Sequence, residues 1–474
     1  MQIPEQFQLG AASSAWQTEG WKGKKPGQDS YLDDWYKNEY FVWHNGKGPD
    51  VATDFMTRYQ EDIDLMKEIG LKTYRTSINW GRFFTDYEKL TVDEDYAQHI
   101  DDVINALLAA GIKPMIAMEH YEVPQFLQDK FGGWNSREVV RLFVEYARIL
   151  FKRYGDRVCD WFTFNEPIVP QTRIHLDGVR YPHDLNPQKW MQCNYHKVLA
   201  IALVVKAYRD MELPGRVGII HNWEFAYPRA AGYQPDVDAA HAYDLFHNRL
   251  FVDPLLKGHY SHELLTLLDH NDIQFKAEPQ DDGIIAANTI DVIGLNLYFP
   301  ARVREPEHLW NPQAAFNPRK YYDDFVLPGR KFNASRGWEI YPPMMYDLAM
   351  IMKHEYNNFP WFISENGMGI ENEAQFRDDS GMINDDYRIN FIQEHLHWLI
   401  KAVNEGANCE GYMLWAFTDC VSPMNAFKNR YGLVEIDLEH NLARRMKRSG
   451  LWYRDLIKNR TLPDTTAFAK GVYA

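Results

Sequence analysis

Long apolar runs are missing from this chain of 474 residues. A membrane-spanning helix needs roughly eighteen or more consecutive apolar residues, and none is found, so no membrane span is expected. Cysteine is scarce: Cys159, Cys193, Cys409 and Cys420 stand singly, without CxxC spacing. Neither a disulfide framework nor a zinc site follows from that arrangement, and reduced thiols are expected. Positive charge is also short, with a formal net charge of -15. Phosphate backbones and anionic membranes need a field of Lys and Arg, so neither nucleic acid nor membrane is an expected partner. Any anion this chain binds has to be met by a local basic pocket. The opening MQIPEQFQLGAASSAW has no basic start followed by an apolar run. No secretory signal is expected, and a cytoplasmic location is. No GxGxxG follows the first strand pattern, no GxxxxGK[ST] occurs, and no Ser/Thr/Gly-rich linker or charge block divides the chain. These gaps predict one domain over 1–474 and no cofactor or metal, and they leave homo-oligomer formation open.

What is present is a repeat of strand and helix. Short apolar or β-branched runs alternate with longer amphipathic segments, the pattern of parallel βα units. Strands are expected at about Phe7–Ser13, Thr73–Ser77, Lys113–Met118, Trp161–Phe164, Arg216–His221, Asp291–Leu295, Trp361–Ser364 and Gly411–Phe417. Between the second and third, Ile100, Val103, Ile104, Leu107 and Leu108 recur at helical spacing, closing on Gly111. Between the third and fourth a helix begins at the N-cap candidate Ser136 and stops at Gly155. Eight such units predict an α/β fold, a single (β/α)8 TIM barrel, with the extra length in elaborated βα loops. A doubly wound open sheet is the alternative.

In such barrels chemistry gathers at the carboxyl ends of the strands. The fourth strand ends WFTFNEP, with Asn165 and Glu166 at its tip, and Pro167 predicts extended backbone at Glu166. The seventh ends WFISENGMG, with Glu365 at its tip. Two carboxylates facing one mouth are what glycosidic bond cleavage needs. One protonates the leaving oxygen, and the other meets the oxocarbenium-like carbon.

The segments LGAASSAWQTEG, YRTSINWGR, TFNEP, VIGLNLYFP, ISENG and MLWAFTD occur in this order from Phe7 onward. Together they resemble the family 1 glycoside hydrolases, a group of retaining β-glucosidases and 6-phospho-β-glycosidases. The resemblance implies that Glu166 is the general acid/base and Glu365 the nucleophile, with carboxyls about 5–5.5 Å apart. It implies that Arg75, Asn296 and Tyr298 support the nucleophile. Gln17, His120 and Asn165 would hydrogen-bond sugar hydroxyls, Trp415 would stack under the sugar, and Trp338 would face the aglycone.

The loop DCVSPMNAFKNRYG after the eighth strand separates the substrates. Where family members acting on plain sugars usually carry Glu followed by Trp, this chain has Ser422 and Pro423. A 6-phosphate, with a charge of about -1.5 to -2, would repel a carboxylate but accept a hydrogen bond from a hydroxyl. Ser422, Lys428 and Tyr431 are therefore expected to hold a phosphate, although in the phospho-sugar branch the lysine often occupies the place of Asn429. Pro423 replaces the Trp that the resemblance associates with 6-phospho-β-galactosides, and this favours 6-phospho-β-glucosides as the small-molecule substrate. The alternatives are a β-glucosidase or β-galactosidase of unphosphorylated sugars, a 6-phospho-β-galactosidase, and a non-catalytic sugar-phosphate binding protein.

Overall fold

The computed structural model describes residues 1–463. The expected domain runs to Ala474, and residues 464–474 of it lie outside the described ones. Eight parallel strands close into a barrel: β1 (Gln8–Ala12), β2 (Thr73–Ser77), β3 (Lys113–Glu119), β4 (Asp160–Asn165), β5 (Arg216–Asn222), β6 (Val292–Asn296), β7 (Trp361–Asn366) and β8 (Cys409–Trp415). Each pairs with its neighbours in chain order, and β1 closes the ring between β2 and β8. These are the eight expected strands, Thr73–Ser77 with the expected bounds and the other seven with one or both ends shifted. The (β/α)8 barrel is thereby observed, and the open sheet is not.

The strands read as apolar runs because both of their faces are covered. Inside the barrel Ala12, Met115, Ala117, Phe162, Ile220, Val292, Phe362 and Met413 pack as one cluster. The outward faces pack under helices that include α1 (Glu94–Ala109), α2 (Arg137–Tyr154), α3 (Pro187–Asp210), α4 (Met344–Glu355), α5 (Asp386–Asn404) and α6 (Arg448–Asn459). The local signals for two of these act as expected. The Ser136 hydroxyl accepts the Glu138 N–H at the start of α2. Gly111, at φ 73°, ends the last turn of α1, where its N–H and that of Ile112 reach back to the carbonyls of Leu108 and Leu107.

Register shifts occur near the carboxyl ends of β4 and β7, the two strands that carry the tip glutamates. Such irregularities turn side chains away from strict alternation and are common beside active sites. Beyond the strand ends, inserted segments wall the mouth. One is a small sheet of 226–228, 301–304 and 323–324, and another is a hairpin of 332–333 with 338–339. Among the described residues no helix is long and apolar enough to cross a membrane.

Candidate active site

Glu166 and Glu365 line one cavity of about 340 Å³ at the carboxyl end of the barrel. Glu365, at the tip of β7, is buried, and its carboxylate accepts from the Arg75 guanidinium of β2 and from the Tyr298 hydroxyl at 2.7 Å. Burial raises its affinity for a proton, while Arg75 and Tyr298 oppose that and favour the charge. Arg75 is fully buried and donates also to Asn165 Oδ1 at 2.6 Å. Asn296, at the tip of β6, donates to Glu166 Oε1 at 2.8 Å and accepts from Ser364 at 2.6 Å. One amide thus ties β6 to the carboxyl of β4.

Glu166 differs from its expected backbone. Its φ is 46°, in the left-handed region, where a residue preceding proline was expected to be extended. The cause is tertiary. Its N–H donates to the Ile220 carbonyl of β5 at 2.7 Å, and Pro167 already has helical φ and ψ, starting the helix Ile168–His175. The chain turns sharply at the glutamate, and the strain this stores is of the kind that concentrates at reacting residues.

Enclosure by the pocket, and after it the charge of Glu365, push the Glu166 carboxyl up to about 7. Hydrogen bonds from Tyr121 and Asn296 act in the opposite sense. Tyr121 is not among the expected site residues, yet its hydroxyl donates to Glu166, and the Arg180 guanidinium lies 5.2 Å from its ring centre. A carboxyl that stays protonated near neutrality, facing one stabilised as an anion by arginine, is the pairing required for acid-assisted displacement.

The remaining expected residues divide by position. Gln17, His120, Trp415, Trp338, Ser422 and Tyr431 all line the cavity. His120 stacks on Trp415 with ring centres 5.8 Å apart, and burial, then the nearby Arg75 charge, keep its ring neutral. Trp338 lies against Phe299 and Tyr298, at 4.8 Å and 5.5 Å between ring centres. Asn165 sits behind the wall instead, buried, its Oδ1 taken by Arg75 and Asn296 and its Nδ2 turned to His120 Nε2 at 3.2 Å. It acts here as a strut between catalytic neighbours and does not form part of the cavity surface.

Lys428 requires a correction. Its ammonium pairs with Glu371 at 3.0 Å, half-exposed, and it faces a separate depression away from the glutamates. The turn at 422–426, with Met424 and Ala426 both at positive φ, holds Ser422 and Pro423 toward the cavity and sends Lys428 outward. The base of this loop is fixed by buried ion pairs: Lys447 bridges Asp419 at 2.8 Å and Glu373, and Arg388 joins Glu373 to Asp385. Those pairs keep Asp419 below the usual carboxylate range in spite of its burial.

A (β/α)8 barrel with an acid and a nucleophile-type carboxylate at the tips of β4 and β7 defines a glycoside hydrolase. The model of glycosyl hydrolase family 1 matches residues 1–462, and the chain belongs to that family. It is 41% identical, over 96% of this chain and 98% of the relative, to the 6-phospho-beta-glucosidase GmuD of Bacillus subtilis strain 168. It is 31% identical to 6-phospho-beta-galactosidase 1 of Streptococcus pneumoniae serotype 4, over 96% of this chain and 98% of the relative. Among solved structures, the β-glucosidase from Thermotoga maritima in complex with castanospermine superposes with a TM-score of 0.86 at 30% identity, covering 98% of this chain and 100% of that one.

Proposed function

We propose that this glycosidase cleaves 6-phospho-β-D-glucosides to glucose 6-phosphate and an aglycone by double displacement with retention. The observation that carries the reading is the loop after β8, which brings Ser422, Pro423 and Tyr431 to the glutamate cavity and contributes no carboxylate to it. A dianionic O6 would meet hydroxyl donors there, where the two hydroxyls of an unphosphorylated sugar would find no acceptor carboxylate. The similarity to GmuD supports the same choice.

In this reading Glu365 attacks the anomeric carbon while Glu166 gives its proton to the glycosidic oxygen, and the aglycone departs. Glu166, now a carboxylate, takes a proton from water, which attacks the anomeric carbon from the face the aglycone left and displaces Glu365. Arg75 and Tyr298 hold Glu365 in place and anionic between turnovers. Gln17, His120 and Trp415 seat the sugar, and Trp338 meets the aglycone. Asn165 serves by positioning Arg75 and Asn296. A disaccharide phosphorylated as it is imported is charged and stays inside the cell, so this reading assigns the reaction to the cytoplasm. We also infer that 1–474 forms one catalytic domain, since closing the barrel requires both β1 and β8.

The test is kcat/KM on nitrophenyl β-glucoside and β-galactoside, each with and without a 6-phosphate. The gluco 6-phosphate should exceed the other three by at least tenfold. Equal turnover of the phosphorylated and plain glucosides would overturn the reading, and preference for the galacto 6-phosphate would overturn its sugar assignment.

A further inference from the structure

We propose that Arg336, from the hairpin turn beyond β6, supplies the positive charge that recognises the substrate phosphate, in the role Lys428 does not fill. The inference rests on the phospho-glucoside reading above and names the cation that reading lacks.

Three observations carry it. First, Arg336 lines the glutamate cavity together with Ser422, Tyr431 and Trp338, whereas Lys428 lies in a different depression. Its charge reaches Tyr431: burial pushes that phenol up to about 12, and Arg336 is the leading influence holding it down. Second, among the described residues no carboxylate lies within ion-pair distance of Arg336, while Lys428 is already neutralised by Glu371. Its guanidinium gives Nη1 to Asn429 Oδ1 at 3.3 Å, and its buried Nε has no partner. Nε and Nη2 share the edge of a guanidinium that binds two oxygens side by side, so the protein engages the other nitrogen and leaves the bidentate edge without a protein acceptor. That edge matches two phosphate oxygens in a way an ammonium cannot. Third, the turn is fixed before any ligand arrives. The Arg336 and Gly337 N–H groups both reach the Asn333 carbonyl, and Gly337 takes φ 72°. Asn333 Nδ2 donates to the Gly369 carbonyl at 3.1 Å, Asn429 Nδ2 to the Ser335 carbonyl at 3.2 Å, and the Glu371 N–H to the Ser335 hydroxyl at 3.0 Å. The guanidinium also lies over the Trp338 ring, 4.2 Å from its centre, which limits its swing.

An otherwise unpaired, half-buried arginine is costly to keep unless an anion completes it. In this arrangement Asn429 does not replace a lysine in kind; it is the rest on which the arginine of another loop is held. Ser422 and Tyr431 would add hydroxyl donors to the remaining phosphate oxygens.

The test compares wild type, Arg336→Gln, Arg336→Lys and Lys428→Ala on nitrophenyl β-glucoside with and without the 6-phosphate, together with inhibition by glucose 6-phosphate and thermal melting of each variant. Arg336→Gln should lower kcat/KM on the 6-phosphate roughly 100-fold, weaken glucose 6-phosphate inhibition to a similar degree, and lower turnover of the plain glucoside at least tenfold less than that of the 6-phosphate. Arg336→Lys should recover part of the loss, and Lys428→Ala should stay within threefold of wild type on both substrates. Loss confined to Lys428→Ala, or an equal fall on both substrates in Arg336→Gln, would overturn the assignment. A wild type that shows no preference for the phosphate would instead remove the phospho-glucoside reading, and this inference with it.

Discussion

A proton has to remain on Glu166 until the glycosidic oxygen takes it, and the residue's surroundings set the pH at which that fails. With the carboxyl pushed up to about 7, the acid form dominates below that pH and is lost above it. kcat/KM on a phosphorylated disaccharide should therefore fall as pH rises through about 7; the second phosphate ionisation, near 6, lies on the other side of the profile. Tyr121 donates to the charged form of Glu166, so its removal should raise the carboxyl further. In Tyr121→Phe the alkaline limb should move to higher pH, and a limb that stays or moves down would show that the hydroxyl does not act through Glu166. The two glutamates were legible in the sequence because they end apolar strands and are flanked by Asn. Arg336 and the outward course of Lys428 were not, because each depends on contacts between distant segments. Asn429 lies 93 residues from Arg336. No local pattern marks such a pair.

At the scale of elements, the eight strands were legible because a buried parallel strand is a short apolar run between turn residues. Their ends were read short where function extends them. Asn165, Asn222, Asn296, Glu365 and Asn366 all continue strands past the last apolar residue, and their polarity mimics a loop. The loop after β8 owes its shape to a support that the sequence does not display, the buried Lys447 between Glu373 and Asp419. Removing one member of such a set leaves carboxylates buried without a countercharge. Lys447→Met should cost about 3–5 kcal/mol in a denaturation experiment, far more than Lys428→Ala, whose partner is exposed to water. A loss of under 1 kcal/mol would show that water or a neighbouring cation takes over the role.

For the whole molecule, β1 lies between β2 and β8, so neither half of the chain can close a barrel alone. The Tyr453 hydroxyl of α6 donates to the Gly10 carbonyl of β1 at 2.9 Å, and Arg444 pairs with Asp62 in a buried contact at 2.8 Å, each binding late sequence to early. Such wiring predicts that far-ultraviolet circular dichroism and catalytic activity are lost together along a urea gradient. Two separated transitions, with activity surviving the first, would argue against one domain. On the rim of this barrel Arg336 and Trp338 stand two positions apart on a single turn, ring against guanidinium. A lineage that varies this turn to accept a new leaving group thereby also alters its hold on charge. Leaving-group preference and charge preference should therefore be inherited as one trait, and libraries meant to widen the first should hold position 336 constant.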